Sequence, residues 1–327
     1  MKKRLPEIDD IRGISIIVMI MIHTNVYYLQ DKISYATLEL SQFAVVAFIF
    51  CSAYLFYQKA QIYDWKLFFQ HLWKRVKRLV IPYYYFLAVY CLFTYVKEPK
   101  KLTLPYFLQN IFVVGGIDFN WLVLLFIELA ILMPFISYLF EKKRVLFYWY
   151  SGLAFVSSLV FLKFTPLSYY RAIMWLPWSL VIIYALLFDR IWKNKWAFFW
   201  VTVFSGVMWV ASRQLVLQPL HHTLFMYDNK YPPNIYHLSY GIFCVNVLYL
   251  LSRLKTFSFF WIQKAIHFFS VYSYSIFFIH LLVIFVVTVF YHFSFTWITF
   301  YLSVTLWSVV VQLLLNGVGK IITASRH

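Results

Sequence analysis

The chain has 327 residues, 63% of them hydrophobic and 13% charged, whereas a soluble globular protein carries roughly 45–50% apolar and about 25% charged residues. So little polar surface excludes a water-soluble enzyme, and apolar runs of roughly 18–22 residues are long enough to cross a hydrocarbon core of about 30 Å. The formal net charge of +17 would suggest a nucleic-acid partner in a soluble protein; in a membrane chain, Lys and Arg retained in cytoplasmic loops account for it without one.

In chain order, hydropathy predicts ten spans, at roughly 11–29, 41–58, 80–96, 119–140, 145–163, 172–189, 196–213, 235–252, 269–291 and 296–318. The fold class is therefore all-α and polytopic, with a single membrane domain over 1–327. The first run outlasts a signal-peptide core, lacks an obvious cleavage site and leads straight into further spans, so it reads as a span. With the N-terminus inside, 21 of the 29 Lys and Arg fall on the cytoplasmic side. They include Lys2, Lys3, Arg4, Arg12, the basic run around Arg75, Lys142–Lys143–Arg144, Arg190, Lys320 and Arg326. That bias predicts both termini in the cytoplasm, with Lys97, Lys100 and Lys101 dissenting.

Two segments are neither spans nor plain loops. Residues 62–79 (IYDWKLFFQHLWKRVKRL) mix aromatics with cations at helical spacing, as a helix lying in the cytoplasmic interface and touching lipid phosphates would. Residues 214–234 form the longest outer loop, with His221, His222, Lys230, Tyr231 and Pro232–Pro233. That loop, with Arg213 at its edge, is either an acceptor-side surface or simply an ordered outer loop. Cys51, Cys91 and Cys244 all lie in apolar segments and read as small buried residues, neither a disulfide framework nor a metal site.

The informative residues are ionisable groups at membrane depth, which are costly there and face interior cavities. His23, Glu128 and His280 each lie roughly 13–18 Å from a span end at 1.5 Å per residue, so all three can meet near mid-membrane. Each also fits as a buried polar residue bonded to a neighbouring helix carbonyl. Arg12 and His23, eleven positions apart, share a helix face with roughly 16 Å of rise between them. In the run KRVKR, Arg75 and Arg78 at i,i+3 share a face and can clamp phosphates in addition to holding their loop inside. A cytoplasmic polyanion such as coenzyme A would suit them.

Several stretches together carry a resemblance. RLPEIDDIRGISIIVMIMIHT, with Arg12, ten residues and His23, resembles the opening of the membrane acyltransferase-3 family. FIFCSAYLF is similar to that family's second-span FxxSGY/F element, and KRVKRLVIPYY to its RxxR stretch before proline and aromatics. NWLVLLFIELAILMP keeps a tryptophan, Trp121, thirteen residues before a proline, and YSYSIFFIHLLV resembles the late SxxIYLxH element. The matches run in family order across nearly the whole chain. Two departures stand out: the SGY glycine is Ala53 here, between Ser52 and Tyr54, and Glu128 falls one or two places after the usual glutamate.

The resemblance implies a multi-pass enzyme of the bacterial inner membrane that O-acylates carbohydrate. The usual donor is acetyl-CoA and the usual acceptors are cell-surface or lipid-linked glycans. It carries function onto Arg12, His23, Arg75 and Arg78, and places Asp9 where it would pair with Arg12 and orient it. Ser52 and Trp121 enter as orienting residues. No metal is implied.

Acyl transfer to a hydroxyl needs a base, a donor site and oxyanion stabilisation. His23 is the candidate base, since an imidazole titrates near neutral pH. No Gly-x-Ser-x-Gly elbow or reactive cysteine appears, so direct attack by the acceptor hydroxyl is simpler than an acyl-enzyme, with an acyl-histidine as the covalent alternative. Arg75 and Arg78 would hold donor phosphates, Arg12 would contact a phosphate or line the way in, and Glu128 or His280 would orient His23 or donate to the oxyanion. A transporter or flippase for a lipid-linked saccharide is the competing class, since buried ionisable residues also suit proton coupling; a structural subunit, in which both histidines are replaceable, is the third.

Overall fold

The computed structural model describes residues 5–59, 65–290 and 295–324, with Trp65 and residues 319–324 described by backbone alone. Lys2, Lys3, Arg4 and Arg326, and the Lys320 side chain, all used in the charge count, lie outside the described residues. Thirteen α-helices and no strand occur among those residues. They are α1 (Pro6–Asn25), α2 (Lys32–Leu40), α3 (Ala44–Tyr57), α4 (Trp65–Lys97), α5 (Leu104–Ile111), α6 (Trp121–Lys142) and α7 (Arg144–Phe164). After them come α8 (Trp175–Lys193), α9 (Lys195–Leu217), α10 (Ile235–Arg253), α11 (Phe260–Val271), α12 (Ser273–Phe290) and α13 (Trp297–Ala324). Ten segments are long and apolar enough to cross a membrane, as expected.

Three boundaries differ from the sequence reading, each for a local reason. The second span starts at Lys32 rather than 41. The Asp31 carboxylate caps α2 by accepting the Ile33 and Ser34 N–H groups, and Asn25 bonds the Ser34 carbonyl and Thr37 hydroxyl. The polar residues that lowered the hydropathy there are thus satisfied by capping and by the end of α1. Next, the expected interfacial helix 62–79 is not a separate element: 65–79 continue through Pro82 into the third span as one helix of 33 residues, and 62–64 lie outside the described residues. Its cations lower hydropathy without interrupting helical spacing. Finally, the ninth span is shorter than 269–291. The chain leaves the helix at Tyr272, with φ −99° and ψ 13°, which separates α12 from the unforeseen α11.

By contacts the chain divides into two compact units: 1–41, 82–103 and 252–327 form unit 1, and 42–81 and 104–251 form unit 2. In unit 1, α1 packs on α11, α12 and α13, with Ile11, Ile16 and Ile20 wholly buried. The closest approach is at Gly13, where a Cβ would overlap the Ile266 carbonyl. Tyr83 and Phe86 stack near Phe278 at 6.1 and 5.1 Å between centroids. In unit 2, α8 is the central helix, against α3, α6, α7 and α9. Its Phe188 meets Phe50 edge-on at 4.9 Å, and Gly241 of α10 lets Val46 of α3 approach.

Candidate active site

Unit 1 organises its polar residues along α1. The helix starts with Pro6 in its first turn and with Glu7 and Asp9, which suits the positive end of a helix dipole. Asp9 lies 3.2 Å from Arg12 as an i,i+3 ion pair, as the sequence predicts. Ser270 of α11, which sequence reasoning missed, closes the arrangement. It accepts from Arg12 Nε and donates to Asp9, both at 3.1 Å. Glu7 accepts from Arg253 at 2.8 Å, and Asp10 accepts from Ser252. Arg12 is therefore held at a fixed angle with two of its five N–H groups committed. A cavity of about 350 Å³ opens beside it, lined by Pro6, Asp9, Asp10, Gln263, Lys264 and His267.

Three turns further along α1, His23 meets His280 of α12. His23 Nδ1 and His280 Nε2 are 2.8 Å apart, and the rings lie 5.1 Å apart between centroids and nearly parallel. His280 is completely buried, with Nδ1 2.8 Å from the Ile276 carbonyl one turn back. Phe277 presents an edge contact to both rings, at 6.2 and 5.7 Å. Two of the three residues expected at mid-membrane are thus brought together. The third, Glu128, belongs to unit 2.

In unit 2 the Arg75 Nη2 donates to Ser52 Oγ, so the second-span serine orients an arginine of the basic run. Arg75 Nε is buried with no hydrogen-bond partner, as is Nε2 of His71 one turn earlier on α4. Arg78, one turn later, is exposed. The neighbouring Tyr54 donates to Asp189 at 2.6 Å, and Gln58 donates to the other carboxylate oxygen at 2.6 Å. This polar tie between α3 and α8 had no local signal in the sequence. Glu128 of α6 is half-buried, and its Oε2 is buried without a partner.

Trp121 sits at the start of α6, two turns before Glu128, in a cluster built from loops of the same unit. Arg171 ties the loop before α6 by donating to the Val113 carbonyl at 3.1 Å and to Asn120. Val113 has φ +61°, a conformation a β-branched residue adopts only when its surroundings impose it. Lys230 is 4% exposed; its Nζ bonds Gln42 at 3.3 Å and lies 3.9 Å from the Tyr227 ring centroid and 6.0 Å from that of Trp121. Burial, aided by Asp118, pushes the Tyr227 phenol up to about 12, so Lys230 faces a neutral ring and the contact is cation–π. The loop residues offered as an acceptor surface are therefore largely folded inward. His222 bonds the Thr165 carbonyl and Pro232–Pro233 are buried, while Arg213 is exposed. Among the described residues, no group of three or more His, Cys, Asp or Glu is arranged to hold a metal.

Ten segments long and apolar enough to cross a membrane define a multi-pass membrane protein, with a half-buried His23 bonded to the buried His280 three turns along α1 from an anchored arginine. The chain belongs to the acyltransferase-3 family: the family model described as "Acyltransferase domain" matches residues 5–317, nearly its full length. No curated protein and no solved structure matches the chain.

Proposed function

We propose that this membrane acyltransferase is an O-acyltransferase that moves an acyl group, acetyl in the first instance, from cytoplasmic acyl-CoA to a hydroxyl of a cell-surface or lipid-linked glycan. The observation that carries the proposal is the His23–His280 contact on the family-matched Arg12–His23 helix. His23 removes the hydroxyl proton as the oxygen attacks the thioester carbonyl; the C–S bond breaks, and the proton passes on to the departing thiolate. Arg75 and Arg78 take donor phosphates, a role supported by the buried, unpartnered Nε of Arg75 and the exposure of Arg78. Arg12, anchored by Asp9 and Ser270, lines the donor's way in, and the cavity beside it has room for a polar part of the donor. Glu128 serves as a further polar group of the reaction, supported by its unpartnered oxygen; Ser52 and Trp121 orient their neighbours. The unbroken family match through both units supports one catalytic domain. The loop charges support cytoplasmic termini, and the family resemblance supports a bacterial inner membrane.

Surface-glycan mass analysis with and without the gene tests the reaction. The expected result is one acetyl mass per modified sugar, lost on deletion. His23→Ala should lower O-acylation by about 10²–10⁴-fold with the protein still in the membrane. Glycan that is unmodified in both strains but relocated on deletion would replace this reading with a transporter.

A further inference from the structure

We infer that His280 is the positioning residue that fixes the tautomer of His23, so that Nε2 of His23 is the atom that takes the hydroxyl proton. The inference rests on His23 being the base. Its geometry runs in one direction. The Ile276 carbonyl carries only lone pairs, so His280 Nδ1, 2.8 Å away, must carry the hydrogen. A neutral imidazole has one N–H, which leaves His280 Nε2 with a lone pair. The atom facing that lone pair at 2.8 Å is His23 Nδ1, which must therefore be the donor. Nε2 of His23 is then left with the lone pair, the reverse of the Nε2–H tautomer that a histidine side chain favours in water. The chain of bonds runs from a helix carbonyl through His280 to Nδ1 of His23.

The same chain assigns His280 one of the two roles open to it. Its Nδ1–H is committed to a carbonyl and its Nε2 carries no hydrogen, so it does not donate to an oxyanion. When His23 Nε2 receives the hydroxyl proton, His23 becomes an imidazolium and its Nδ1–H bond to His280 becomes charge-assisted. Such bonds are roughly twice as strong as neutral ones. The contact therefore tightens as positive charge develops, the kind of interaction that raises a rate rather than a ground-state affinity. When the C–S bond breaks, the proton leaves Nε2 for the thiolate and both histidines return to their starting tautomers. Phe277 edges against both rings and limits their rotation.

The test uses the full-length protein in lipid nanodiscs with [15N]histidine, the His23 and His280 signals being assigned by single-alanine variants. Transfer from radiolabelled acetyl-CoA to membranes of the deletion strain is measured alongside. Wild-type His23 is expected to be protonated at Nδ1 and unprotonated at Nε2. His280→Phe should move His23 to the Nε2–H tautomer and lower transfer about 10²-fold, with the KM for acetyl-CoA unchanged. His280→Gln, whose side-chain carbonyl can accept where Nε2 did, should recover the Nδ1–H tautomer and about tenfold of the rate. Protonation of wild-type His23 at Nε2 overturns the inference, and so does equal transfer by the Phe and Gln variants. The wild-type spectrum decides the tautomer even if His280→Phe fails to fold. If His23→Ala still transfers, the general-base reading fails; if that variant is inactive but wild-type His23 is protonated at Nε2, this inference alone fails.

Discussion

Buried polar atoms without a hydrogen-bond partner divide differently between the two units. In unit 1 they are the side-chain oxygens of Asn25 and Gln312, both neutral amides; in unit 2 they include atoms of His71, Arg75, Glu128 and His237. Ionisable residues along α1 in unit 1 are bonded instead: Asp9 to Arg12 and Ser270, Glu7 to Arg253, and His23 to His280. In unit 2, Glu128 Oε2 and Arg75 Nε have no hydrogen-bond partner. A buried polar group with no bond to protein or water costs about 1–3 kcal/mol in folded proteins. Under the proposed function, unpartnered ionisable groups in one unit and paired ones along α1 in the other would serve two tasks. Paired groups hold an angle, which a base requires; groups with open valence suit a charged ligand.

The contrast extends to how the helices approach, and this gives the largest expected effect on stability. At Gly13 the overlap of an added Cβ is with backbone, the carbonyl of Ile266. Gly13→Ala must therefore push α11 away from α1, carrying Ser270 off Arg12. The expected loss is about 3 kcal/mol, the upper end of ordinary overpacking, read as a lowered melting temperature of the detergent-purified protein. At Gly241 the overlap is with the Val46 side chain, so Gly241→Ala should cost about 1–2 kcal/mol and be partly restored by adding Val46→Ala. Equal losses at the two glycines, or no restoration at Gly241, would break the distinction between a backbone-set unit 1 and a side-chain-set unit 2.

The ten spans were legible because hydrocarbon thickness and composition fix them, whereas their ends were not where a distant partner satisfies polar residues. Lys32, Ser34 and Glu39 read as loop, yet Asp31 and Asn25 hold them in the second span. Of the site, Asp9–Arg12 was legible because i,i+3 spacing on one helix is local. The meeting of His23 and His280 was suggested by equal depth, although depth says nothing of which helices are neighbours. Ser270 and Asp189 left no signal. Each is 100 or more positions from its partner in the chain, and serine or aspartate at a helix end has many ordinary explanations.

The smallest effects test the division of tasks itself. Arg75 donates to Ser52 and has a buried Nε without a partner. Acetyl-CoA titrated onto the purified protein should therefore bind roughly 10–100-fold more weakly to Arg75→Ala, the size of one hydrogen bond to a charged group. Arg75→Lys should recover only part of that, because an ammonium lacks the planar fork that reaches Ser52 and an anion together. Ser52→Ala, which leaves the guanidinium charged but unanchored, should weaken binding by only a few-fold, about 1 kcal/mol or less. His23→Ala should leave acetyl-CoA affinity within about twofold of the native value, since its partner His280 is a protein group and the proposed proton transfer comes after binding. Should His23→Ala weaken donor binding as much as Arg75→Ala does, the separation of a bonded, reacting unit from an open-valence, binding unit would fail. Unchanged affinity in Arg75→Ala with the fold intact would instead leave the basic run with its loop-retaining role alone.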